Sequence, residues 1–159
     1  MEVAELGERA DLATMALGGD AARALGEPAL AEHYYALVEQ RARAQPEPFA
    51  RQWTQFCLTQ GRNLDETLRT LEAEIRIRPD VLGHQLLAWA YYRAGREAQA
   101  AAQIRAALRL GTRDASLHQL AALILGRPEH LVLARKIDPH FVRISVGPDG
   151  RAARTDRAR

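Results

Sequence analysis

Cysteine, lysine and strand-forming residues are all scarce in this 159-residue chain. Cys57 is the only thiol, so no intrachain disulfide can form and the redox compartment stays open. It falls in a helix expected to face the core, with no neighbouring His or Lys arranged to activate it, and reads as a small buried hydrophobe. Lys136 is the one lysine among 22 basic side chains; 20 acids are interspersed with them, the net charge is +2, and the arginine bias reads as a habit of composition. The opening residues MEVAELGERADLATMA include acids and no apolar run of signal or membrane-span length, which argues against a leader or a span within the sequence. The expected location is cytoplasmic, or periplasmic or exported if a signal has been removed. Also missing are the G-x-G-x-x-G and P-loop cradles, HExxH, C-x2-C and a nucleophile elbow. Adjacent Asp65 and Glu66 sit where capping and the helix dipole explain them. The sequence thus predicts no catalytic residue, no cofactor and no metal site. Abundant Ala and Leu point to an all-α chain, long enough to bury one continuous core.

The clearest signal runs from Val81 to Asp114. His84, Leu87, Ala88 and Tyr91 recur at helical spacing, Gly95 turns the chain, and Ala100, Ile104, Ala107 and Leu108 share a face of a second helix. This helical hairpin resembles a tetratricopeptide (TPR) repeat, with Leu87, Ala88, Tyr91, Ala100 and Ile104 in its signature slots, His84 in place of the aromatic, and Thr112 in place of the closing proline. Segments such as RQWTQFCLTQGRNLDE and RPDVLGHQLLAWAYYRAGR resemble bacterial TPR proteins of uncharacterised role. The family implies an all-α, right-handed superhelical solenoid of about four TPR-like hairpins, within a domain over residues 1–146.

Earlier in the chain, residues 2–25 read as one long helix or a helix with a soft middle, with Gly19 in the small-residue slot, Ala22 a turn later and Gly26 as the turn. Ala31, Tyr35 and Val38 follow on the second helix, giving a first repeat over 12–45. A second repeat over 47–80 has its first helix from Pro48 to Thr59, burying Trp53 and Cys57, a turn at Gly61, and Leu64, Leu68, Leu71 and Ile75 as its stripe. The third is 81–114. Pro46, Pro79 and Thr112 recur 33 residues apart and Pro139 only 27 later, so the fourth repeat, 115–140, is shortened, with helices Ala115–Leu125 and Pro128–Ile137 around Gly126. A shortened terminal unit suits the end of a stack. Phe141, Ile144 and Val146 are expected to tuck against that end, and residues 147–159 to form a disordered basic tail.

In such solenoids the first helix of each repeat lines the concave ligand face. Off the core stripe of those helices lie Asp20 and Arg23, then Arg51, Gln52, Gln55 and Thr59, then Gln85, Trp89, Tyr92 and Arg93, and finally Ser116, Gln119 and Leu123. Arg51, Gln52, Gln55, Gln85, Trp89, Tyr92, Arg93 and Gln119 form the predicted binding groove. Trp89 has two readings, packing on a neighbouring helix or direct ligand contact. Arginine beside aromatics suits a peptide with an acidic or C-terminal carboxylate group, so the expected partner is an extended peptide or a helix. The family's clamp for chaperone C-termini is absent, because its places hold Ala16, Asp20, Gln52, Leu82 and Leu86. His84 and His118 stand 34 residues apart in equivalent slots; the repeat explains that better than a metal does, each ring serving a helix interface.

Two rival readings remain. Arg143, Arg151, Arg154, Arg157 and Arg159 could bind a polyanion, but the tail has no interleaved aromatics and contains Asp149 and Asp156, which disfavours nucleic acid. Self-association through an end of the stack would give a homo-oligomer.

Overall fold

The computed structural model describes residues 11–44 and 46–140, without the side chains of 46–49. The expectations for 141–146 and for the tail lie outside the described residues. Those that are described form helices and no strand. In order they are α1 (Leu12–Ala24), α2 (Pro28–Ala44), α3 (Pro46–Gln60), α4 (Leu64–Ile77), α5 (Val81–Arg93), α6 (Glu97–Arg109), α7 (Ala115–Leu125) and α8 (Glu129–Ile137). No helix among them is long and apolar enough to cross a membrane. Two compact units divide the chain inside α3, one ending at Phe56 and the other starting at Cys57.

A single turn chemistry recurs. Gly26, Gly61, Gly95 and Gly126 all have φ between 65° and 79°, a left-handed conformation that glycine adopts without a Cβ clash. The next backbone N–H then reaches back to the departing helix: Glu27 to the carbonyl of Ala22, Arg62 to Cys57, Arg96 to Tyr91 and Arg127 to Ala122. These bonds satisfy carbonyls that a helix end leaves orphaned. At the helix starts, Asp11, Asp80 and Asp114 accept from the N–H three residues on, at 2.7, 2.8 and 3.0 Å. Asp11 is extended and caps α1, so a single helix does not run unbroken into Leu12, and the rest of the reading over 2–10 lies outside the described residues. Asp80→Ala is expected to lower stability by about 1 kcal/mol, the usual cost of losing such a cap, and Asp80→Asn much less. Urea midpoints compare the two.

In the first unit α1 packs on α2 with Gly19 facing Tyr35. Tyr35 is wholly buried along with Ala31 and Val38, and Phe56 lies 5.5 Å from its ring. Trp53, only half-buried, stacks on Phe56 at 5.6 Å, so Phe56 rather than Trp53 takes the buried place on α3.

The second unit is built around α5, which packs against α4, α6 and α7. Enclosure on three sides buries six successive residues, Leu86 to Tyr91, where an amphipathic helix would bury one stripe. Ile104 and Ala107 on α6 and Leu117 and Ala121 on α7 complete the core with Leu68 and Leu71. At 11 and 9 residues, α7 and α8 make the final hairpin the short one.

The first and third hairpins fill equivalent slots in opposite ways. The first has Gly19 and Ala22 on one helix against Tyr35 on the other; the third has Ala88 and Tyr91 against Ile104, all buried. The bulky tyrosine sits on the second helix of the first hairpin and on the first helix of the third. Either way the tyrosine keeps a polar exit. Tyr35 donates to Asp20 at 2.6 Å with the Arg23 guanidinium 5.0 Å from its ring centroid; Tyr91 donates to Glu72 at 2.9 Å with Arg96 at 6.0 Å.

Candidate functional site

The predicted groove residues fall on both units. Arg51 (half-buried), Gln52 and Gln55 (both exposed) stand on the part of α3 that belongs to the first unit. Gln85, Trp89, Tyr92 and Arg93 stand on α5, and Gln119 on α7, in the second.

Within the second unit α5 and α7 lie side by side, and their polar residues are joined. Gln85 Nε2 donates to Ser116 Oγ at 3.0 Å, and Ser116 donates to Asp114 Oδ1, the oxygen that also accepts from the Leu117 N–H. Burial works to raise the Asp114 pKa, but the bonds from Ser116 and Leu117, with nearby His118, outweigh it and hold the carboxyl below its ordinary 3.8. The cap is therefore charged across the physiological range, and its contribution to stability is lost only as pH falls below that value. The sequence singled out Gln85 as a groove residue and Ser116 as lying off the core stripe; the structure makes them a strut between α5 and α7.

Tyr92, Arg93 and Gln119 are half-buried, so each keeps part of its surface toward solvent. Trp89 does not. At 6% exposure its ring packs within the core of the second unit and presents no face to a ligand. Its Nε1 is buried and has no hydrogen-bond partner among the described residues. Asp20 and Arg23 are likewise committed, to the Tyr35 hydroxyl and ring.

His84, His118 and His130 serve helix interfaces. His84 Nδ1 meets Gln103 Oε1 of α6 at 2.7 Å; with the amide oxygen accepting, the proton is on Nδ1. His118 meets His130 of α8, Nδ1 to Nδ1, at 3.1 Å. Burial, and then the like charge of His130, lower the His118 pKa below 6.5 against the opposing pull of Asp114. Sequence spacing missed this contact, because it depends on how a shortened hairpin folds back. Among the described residues no group of three His, Cys, Asp or Glu could hold a metal ion. Cys57 is buried at 1% exposure.

Comparison with protein-family models, curated proteins and solved structures finds no match.

Proposed function

We propose that the chain is a non-catalytic protein-interaction scaffold of the TPR kind, a right-handed stack of four helical hairpins that takes a peptide or partner helix along its inner helices. The recurring turn carries this reading: the carbonyls of Ala22, Cys57, Tyr91 and Ala122 accept the same reach-back bond beside a left-handed glycine in every hairpin. Repetition of one hairpin is what allows neighbours to stack and share a core. On the second unit the surface would consist of Gln85, Tyr92, Arg93 and Gln119, with buried Trp89 as support. Arg51, Gln52 and Gln55 hold the corresponding place on α3. Amide, phenol and guanidinium groups together suit an extended peptide with a carboxylate, which arginine binds through paired N–H donors.

The test is affinity capture from a cell lysate with wild type, Gln85→Ala/Tyr92→Ala and a chain ended at Val146, each at low and high salt. A partner kept by the wild type and the shortened chain should be lost from the double variant, assayed at a temperature where its circular dichroism shows it folded. Partners that follow only the removed tail, or that leave every chain at high salt, would instead assign binding to the tail arginines.

A further inference from the structure

We propose that His118 and His130 form a proton-operated latch that holds the α7–α8 hairpin shut while at most one of the two rings is charged. The rings are nearly parallel in plane, at 24°, with centroids 5.3 Å apart and Nδ1 atoms 3.1 Å apart. The centroid separation equals the N···N distance plus about the two ring radii. The imidazoles therefore meet edge to edge, and their Nδ1 atoms point at one another. Two ligands of one metal ion must aim their lone pairs at a common third point, so this is the geometry of a shared proton and not of a chelate.

Proton counting gives the switch. With both rings neutral, one Nδ1 carries hydrogen and donates while the other accepts. One added proton can go to the donor ring's Nε2, and the bond survives with a charge behind it. A second proton must occupy the accepting Nδ1. Two N–H groups then oppose each other across the gap, with two positive charges beside them. Both residues are half-buried, so water relieves this only in part.

The surroundings do not cancel the effect. α8 faces His118 with His130, and its own helix start with Asp114, whose carboxylate is already engaged by Ser116 and Leu117. α5 and α6 also pack on α7, where the titratable His84 is taken by Gln103, and the charges that act on the His118 ring are those of His130 and Asp114. The sign follows from linkage: a histidine held below its ordinary value makes the closed form most stable above pH 6.5, and that stability falls as pH drops. Opening would release α8, where Ala134 is buried, and uncover α7. This inference is independent of the proposed groove.

Amide hydrogen exchange of the whole chain at pH 7.5 and pH 5, corrected for intrinsic rates, reads the latch directly. Protection across residues 129–137 should fall on the order of tenfold at pH 5, as one extra proton in the open form dictates, while that across 81–109 stays level. In His130→Gln, and separately in His118→Gln, an amide replaces one ring and the acid-dependent loss should disappear. Protection of α8 that is equal at the two pH values in wild type would overturn the latch. So would an acid-dependent loss that persists in both glutamine variants.

Discussion

Trp89→Phe should leave the protein as stable as wild type or slightly more so, whereas Trp89→Ala should cost about 3–5 kcal/mol. Both variants remove the indole Nε1–H, so the difference between them reads the packing of the ring. Alanine removes a large ring from the core of the second unit and leaves a cavity. Phenylalanine keeps most of the apolar contact and removes the buried Nε1–H, which has no acceptor among the described residues. An unmet buried donor costs about 1–3 kcal/mol, enough to offset the smaller ring. Urea unfolding with unchanged m-values would compare them. A loss of about 1–3 kcal/mol in Trp89→Phe would mean that the indole N–H has an acceptor in solution, and damage equal to that of Trp89→Ala would overturn the packing account of this residue. The same reasoning makes Trp89→Ala a poor probe of binding, since it would weaken the fold first.

Gly19→Ala should destabilise the protein by about 1–3 kcal/mol, while Gly18→Ala should be neutral or stabilising. Helix propensity alone favours alanine by about 1 kcal/mol at both positions, so it predicts the opposite sign for Gly19. Packing decides. A methyl group on Gly19 would lie 2.7 Å from Cδ1 of Tyr35 and closer still to Cε1, and Tyr35 is wholly buried and cannot retreat. One on Gly18 would meet Tyr34 at 3.1 Å, but that ring is only half-buried and can swing aside. Thermal melts of the two variants give the answer, and equal stabilisation of both would refute the close-packing account. Adding Tyr35→Leu to Gly19→Ala should recover part of the loss, because the pair shares one space.

The hairpins were legible in the sequence because their turns need glycine. Gly26, Gly61, Gly95 and Gly126 could be read as turns before any coordinates, and each has the positive φ that reading requires. The last hairpin was equally plain, since Gly126 and Pro128 leave little freedom in where α7 ends and α8 begins. The surroundings of α5 were not. Helical periodicity tells one face from another only when a helix has a wet side, and α5 is enclosed by three neighbours, so Trp89 looked like a groove residue. Gln85 was correctly placed off the core stripe. That its amide ties α5 to α7 through Ser116 depends on two helices 31 positions apart in the chain, which no local pattern records. The His118–His130 contact escaped for a related reason: the two rings carry no metal-type spacing, and only the folded hairpin brings them edge to edge.

The two buried tyrosines have a spectroscopic consequence. Burial, reinforced by the bond to Asp20, pushes the Tyr35 phenol up to about 12, and burial with the bond to Glu72 raises that of Tyr91 as well. Each unit therefore contains a phenol that stays un-ionised in alkali strong enough to ionise an ordinary tyrosine. Phenolate absorbance during an alkaline titration becomes a built-in optical gauge, with one late-ionising ring reporting on the first unit and one on the second, and no label attached to either.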